Sequence, residues 1–278
     1  MEQGKLFLVA TPIGNLKDIT LRALETLREA DVIAAEDTRH TIKLLNHYEI
    51  KGKLMSFHEY SRESRFEELL EILHDGKKVA LVSDAGTPVI SDPGFALVAR
   101  CVQEGICVES IPGACAAVTA VTLCAMDCSH FIFWGFLSQR QNARRKELER
   151  IVQMQMPCVV YESPNRIVKM LEDVCTVCGE DTPVCICREL TKLHEEVLRG
   201  TAKQAFESFA GRDAVKGEFA VVFYPQEKTQ IMDEAEIAAA LKLYLEKGMT
   251  KKSAVSQVAE QAGIPKNRVY QIMLQLGE

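Results

Sequence analysis

Four short loops contain the residues of this chain best suited to chemistry. They are Thr11-Pro12-Ile13-Gly14-Asn15, Glu36-Asp37-Thr38-Arg39, Asp84-Ala85-Gly86-Thr87-Pro88 and Pro112-Gly113-Ala114-Cys115-Ala116. Each follows an apolar run, and together they mix glycine, proline, hydroxyls and acids. Small residues let backbone N–H and C=O groups approach a ligand closely. Aspartate and threonine oxygens accept hydrogen bonds from hydroxyl or amino groups. Taken singly, SDAGTP or IPGACA reads equally well as a tight turn with an aspartate helix cap. Four in succession read as the walls of one pocket. TPIGN lacks the G-x-G-x-x-G of a dinucleotide site, and no G-x-x-x-x-G-K-[ST] occurs. The ligand expected is one without a polyphosphate, such as an adenosine bearing hydroxyls and an amino acid.

The loops need strands to hold them. KLFLVA (5–10), VIAA, LMSF, VALVS and CVESI alternate with helical spacing, as in Leu21, Leu24 and Leu27. That alternation predicts βαβ crossovers and a buried parallel sheet, with ligands bound at the carboxyl ends of its strands. After the apolar helix ACAAVTAVTLCAM come the strands FIFWGF, CVVYES, PVCICREL, EEVLRGT and EFAVVFY, with helices at ARRKELERIVQM, NRIVKMLEDVC and AKQAFESF. These predict a second α/β domain with a mixed sheet. The expected domains are 1–112, 113–228 and, beyond the polar linker YPQEKTQ, a helical unit over 233–278. There a turn at Gly263 precedes a helix opening on Pro265-Lys266-Asn267-Arg268, the outline of a helix-turn-helix.

Composition narrows the function classes. The chain has 278 residues, 47% of them hydrophobic, and a net charge of −6, so it is no polycation binding nucleic acid indiscriminately. No run reaches the ~18 apolar residues of a membrane span, and MEQGKLFLVA enters a strand almost at once. The expectation is a cytoplasmic protein without membrane contact. Ten cysteines then read as reduced thiols in the core. Cys175, Cys178, Cys185 and Cys187 are of zinc-ligand type, but Ile167, Leu171, Val174 and Cys178 share one helical face and VCIC reads as a buried strand, so no metal is expected. Two basic segments are candidate nucleic-acid contacts, and, under the resemblance given next, RNA-binding residues: Arg140, Arg144, Arg145 and Lys146, and then Lys251, Lys252, Lys266 and Arg268.

VATPIGNLKDITLRALETLREADVIAAEDTRHT, SDAGTPVISDPG, IPGACAAVTA, FWGFL, YESPNRI, RELTKLHEE and GEFAVV, in this order, resemble the tetrapyrrole methylase superfamily. More narrowly they resemble its 16S rRNA (cytidine 2′-O)-methyltransferase branch. The likeness spans residues 5–225, and the helical tail is similar to the one seen in that branch. It implies two α/β domains of the class III S-adenosyl-L-methionine (SAM) methyltransferase type, with SAM in the cleft between them, and a homodimer acting on 16S rRNA of the 30S subunit. By motif it assigns Asp84 and Thr87 to the methionine and ribose portions of SAM, with Thr11, Pro12, Gly14, Ala85 and Gly86 around them. Cys115 and Ala116 would line the adenine-side loop, Cys115 standing where serine is common. Tyr161, Gly217 and Glu218 would close the pocket from the second domain.

Ribose methylation is an in-line displacement whose methyl group is already activated, so positioning supplies much of the catalysis. The hydroxyl must also lose its proton. Glu36, Asp37, His58, Glu189, Lys192 and His194 are candidates for that step, with Asp37 and Lys192 favoured; Ser91-Asp92-Pro93-Gly94 is expected merely to start a helix. Two rival readings are a small-molecule tetrapyrrole-type methylase and a ligand-sensing DNA-binding regulator. The basic segments speak against the first. A short tail with six basic and five acidic residues from Glu234 onward speaks against the second, and no DNA partner is expected.

Overall fold

The apolar runs of the first half pair into one parallel sheet. The computed structural model describes residues 4–58, 63–225, 234–262 and 264–275. Strands β1 (Lys5–Val9), β2 (Val32–Ala35), β3 (Leu54–Ser56), β4 (Lys78–Val82) and β5 (Cys107–Ile111) lie in the order β3-β2-β4-β1-β5. Helices α1 (Leu21–Glu29), α2 (Thr38–His47), α3 (Glu63–His74) and α4 (Phe95–Gln103) make the crossovers. Both faces are covered: Leu6, Leu69, Leu81 and Leu97 pack on one, and Val9, Leu27, Ile33 and Val82 on the other. From β1 the chain leaves toward β2, and from β4 it leaves the opposite way toward β5. The carboxyl ends of β1 and β4 therefore flank a topological switch point, the usual ligand crevice of such sheets.

At the expected boundary near residues 111–113 the chain crosses to the second sheet. Helix α5 (Ala116–Leu123) is followed by β6 (Ile132–Phe136), α6 (Gln141–Met154), β7 (Cys158–Glu162), α7 (Ile167–Val177), β8 (Pro183–Arg188), β9 (Glu196–Thr201), α8 (Ala202–Ala210) and β10 (Phe219–Phe223). The order is β6-β7-β10-β8-β9, with β6 and β7 parallel and the other neighbours antiparallel. Side chains alternate across it. Phe219, Val221 and Phe223 face the layer of α6, α7 and α8, while Ala220 and Val222 face α5. The sheet also separates the cysteines: Cys175 of α7 and Cys178 just past it lie on the side of the first layer, and Cys185 and Cys187 of β8 face the other. The four thiols weighed for zinc thus point to opposite sides of a sheet. Among the described residues no group of three or more His, Cys, Asp or Glu could hold a metal ion, and no helix is long and apolar enough to cross a membrane.

Both sheets belong to one compact unit, Met1–Pro225, and Gln226–Glu278 form another. In the latter, α9 (Glu234–Glu246), α10 (Lys251–Ala262) and α11 (Lys266–Gln275) bury Ile237, Leu241, Val258, Val269 and Ile272 against one another. Lys251, Lys252, Lys266 and Arg268 are exposed on it. The turn at Gly263 and most of the linker lie outside the described residues.

The first basic segment needs a correction. Arg140 and Lys146 are exposed, but Arg144 is only 4% exposed and is bound at 2.5 Å to the fully buried Asp173 of α7. Arg145 joins the same carboxylate at 2.6 Å, and Gln141 donates to it at 3.2 Å. Arg144 lies four and seven residues before Leu148 and Ile151, on the buried face of α6. It fastens two helices together and cannot present its charge to RNA. Removing one partner of a buried ion pair strands the other. Asp173→Ala should therefore cost about 3–5 kcal/mol, read as a lower denaturation midpoint at unchanged m-value.

Candidate active site

The ends of β1 and β4 are tied directly. Thr11 N–H donates to the Gly86 carbonyl at 2.9 Å, and Gly86 N–H returns a bond to the Thr11 carbonyl at 3.0 Å. The Thr11 hydroxyl also reaches the Ser83 carbonyl. Gly86 has φ +85°, a conformation that glycine adopts without strain. From this knot Asp84-Ala85-Gly86-Thr87 faces a cleft of about 480 Å³ between the two sheets, within the ~300–1,000 Å³ typical of small-molecule sites.

Asp84 is fixed from behind: Asp37 N–H donates to its Oδ1 at 2.9 Å, and His40 Nδ1 lies 3.8 Å from its Oδ2. Thr87 donates its hydroxyl to the Ala114 carbonyl at 3.2 Å and so joins this loop to the one leading into α5. Opposite, Tyr161 on β7 packs edge-on against Phe133 and Phe136. Its hydroxyl accepts Ala117 N–H at 3.0 Å, and burial raises its pKa. Cys115 caps α5 by its backbone alone, making no side-chain capping bond where serine would make one.

Of the residues expected around a cofactor, Asp84, Ala85, Gly86, Thr87, Cys115, Ala116, Tyr161 and Glu218 line the cleft. Thr11, Pro12 and Gly14 do not; they border a neighbouring hollow of about 140 Å³ beside His40 and Lys43 that shares only Asp84 with it. Gly14 serves contact between the sheets. A Cβ there would fall 2.4 Å from Lys192 Cγ and 2.9 Å from the Leu190 carbonyl oxygen. Gly217, at φ +99°, gives the Glu189 side chain similar room.

Neither favoured proton-transfer residue lines the cleft. Asp37 caps α2 and chelates Arg39 at 2.5 Å, and this pairing holds its carboxyl well below the usual carboxylate range, a poor setting for a base. Lys192 lies between Glu189 and Glu218, 2.9 Å from each. Burial alone would lower its pKa, but these two hydrogen bonds outweigh burial and keep it charged.

The cleft also recruits residues that sequence reasoning passed over or read as structural: Ile13, Phe136, Ser163, Leu190, Ser91 and Asp92. Ser91 and Asp92 do more than start α4. Val89 at φ +75° and Ser91 at φ +63° bend the segment so that Asp92 joins the wall. Nothing in a valine or serine announces a left-handed backbone. Phe136 and Ser163, by contrast, sit at strand ends, where the rule that located the first four loops applies equally.

The lining suits SAM. Carboxylates from both sheets can accept from hydroxyl and ammonium groups and offset a positive charge, while Ile13, Phe136 and Leu190 provide an apolar bed for a flat ring. Among the described residues, none lining the cleft is Lys, Arg or His. Residues 5–205 match the model of the tetrapyrrole (corrin/porphyrin) methylases. The chain belongs to that family. Residues 232–277 match the RsmI C-terminal HTH domain. The chain is 44% identical over 278 residues to the ribosomal RNA small subunit methyltransferase I of Halalkalibacterium halodurans, covering 98% of this chain and 95% of that one. It is 49% identical to the protein of the same name from Thermotoga maritima over 224 residues, all of that protein and 81% of this one. Among solved structures, uroporphyrin-III C-methyltransferase from Thermus thermophilus, complexed with S-adenosylhomocysteine, shares the fold at TM-score 0.57 and 16% identity, covering 82% of this chain and all of that one.

Because Asp84 is held rigidly with its carboxylate at the cleft, Asp84→Asn should leave the fold intact and weaken SAM binding about tenfold, in line with the ~1.5–3 kcal/mol of hydrogen bonds to charged groups. Isothermal titration at constant pH measures this.

Proposed function

We propose that this methyltransferase uses SAM to methylate the ribose 2′-oxygen of a cytidine in 16S ribosomal RNA, acting in the cytoplasm on the 30S subunit as a homodimer. The observation that carries the reading is a SAM-compatible cleft at the switch point of a chain whose curated relatives, alike along nearly its whole length, are named ribosomal RNA small subunit methyltransferase I. SAM supplies an activated methyl group. The protein's part is to hold the ribose hydroxyl in line with that group, to exclude water and to take up the hydroxyl proton.

RNA must be gripped outside the cleft, since the described lining residues are acidic or neutral. The exposed Arg140 and Lys146 on the first unit, and Lys251, Lys252, Lys266 and Arg268 on the second, are suited to phosphate contacts. The Thermotoga relative aligns along its full length with 81% of this chain. In this reading the body carries the chemistry, and the helical unit adds affinity for RNA. A role on small tetrapyrroles rests on the shared fold alone, at 16–19% identity, and fold does not fix substrate. Exposed Leu21, Phe95 and Val118 offer apolar surface for a second copy.

Incubation of the protein with methyl-labelled SAM and 30S subunits lacking the modification should label one cytidine ribose in 16S rRNA, located by nuclease mapping. Label on a base, on a tetrapyrrole or nowhere sinks the reading. Truncation after residue 225 should weaken RNA methylation about tenfold or more at ~150 mM salt, with the deficit shrinking as salt falls, while SAM affinity is unchanged.

A further inference from the structure

Asp92 lines the cleft on a segment whose surroundings suit it to proton transfer. Among the described residues, five carboxylates line the cleft, from Glu36, Asp84, Asp92, Glu162 and Glu218. Three are committed elsewhere. Asp84 holds Asp37 N–H, Glu218 is paired with Lys192, and Glu162 accepts Ser163 N–H with Arg166 Nη2 at 3.0 Å. Glu36, at the end of β2, acts on Asp92 as a like charge. Asp92 is carried instead on a segment bent twice through the left-handed region, at Val89 and Ser91. Holding a β-branched residue and a serine there costs free energy, and such strain persists where surrounding structure enforces it. Gly135 has no side chain beside Ser91 Oγ, and a Cβ there would lie 3.0 Å from that atom. The strained segment therefore packs against the bulged strand β6 of the second sheet.

We propose that Asp92 is the proton acceptor for the substrate hydroxyl, an inference that rests on the methyltransferase reading above. As the 2′-oxygen forms its bond to the methyl carbon, the carbon–sulfur bond breaks with its electron pair left on sulfur. The hydroxyl proton passes to the Asp92 carboxylate and from there to water. A carboxylate with an ordinary pKa is a weak base near neutrality, and efficiency rises as the pKa approaches the working pH. Asp92 is shifted in that direction: burial, then the negative charge of Glu36, push its carboxyl up to about 6, with Asp84 adding to the shift and the Ser83 hydroxyl opposing it. Among the described residues, the other titratable groups lining the cleft are Glu36, Asp84, Cys115, Tyr161, Glu162, Cys187 and Glu218, none of them a cation.

Two variants and two kinds of readout test this. In wild-type protein on 30S subunits, kcat/KM should rise with pH through about 6 and level off above it, because the working form is the ionised one. Asp92→Asn should lower turnover about 100-fold or more and abolish that limb, with SAM affinity within about threefold of wild type. Asp92→Glu should restore part of the rate. Independently of activity, a carboxyl raised in the folded state stabilises the fold below the unfolded value near 3.9 and loses that contribution as pH rises through its folded value. Asp92→Asn should therefore melt higher than wild type at pH 8 and equally at pH 4. Retained turnover in Asp92→Asn, or an acid limb surviving in it, overturns the assignment. So does a tenfold loss of SAM affinity with S-adenosylhomocysteine binding unchanged, since Asp92 would then serve the sulfonium. If wild type itself fails to label 30S RNA, the parent reading fails instead, and the melting comparison still reports whether Asp92 carries a raised pKa.

Discussion

The site depends on one reciprocal pair of backbone hydrogen bonds, between Thr11 and Gly86. It closes the gap between the ends of β1 and β4, where crossovers leave the sheet in opposite directions and no continuing strand could hold the chain. With that knot tied, Asp84 and Thr87 have fixed origins. Asp37 N–H then orients the Asp84 carboxylate, and Thr87 passes the constraint on to Ala114. Each later feature of the cleft is positioned relative to these two amides.

The second sheet is registered on the first by close contact rather than by charge. Ile13, two residues beyond the knot, belongs to the same apolar layer as Ala117, Ala120, Cys187, Leu190 and Ala220. Beside it Gly14 admits the Leu190–Lys192 backbone and side chains to within a distance no other residue would allow. Burial supplies the attraction, and the missing side chain sets the spacing. Charges on this seam are paired off, as Lys192 is between Glu189 and Glu218, which leaves the cleft itself acidic.

Much of this was legible beforehand, for definite reasons. Strand and helix alternation follows from where apolar residues recur, and switch-point loops follow from topology, so the β4 loop, Cys115, Ala116 and Tyr161 were found at the cleft. Arg144 was misread because a basic run looks solvated until its phase with Leu148 and Ile151 is checked. Asp37 caps α2 and stays off the cleft wall, since an acid beside a strand end serves helix capping as readily as catalysis. The bend carrying Asp92 was invisible in sequence, since non-glycine residues at positive φ are dictated by their surroundings and not by their own preference.

That bend has a thermodynamic consequence. Flexible glycine-rich loops become ordered when their ligand arrives, and the lost freedom is subtracted from affinity. Here Pro88 and Pro93 restrict the chain, Thr87 is tethered, and Val89 and Ser91 are held in conformations that cost of order 1–3 kcal/mol each. The ordering is completed during folding, so the folded protein is less stable than it could be and its pocket is in shape before anything enters it.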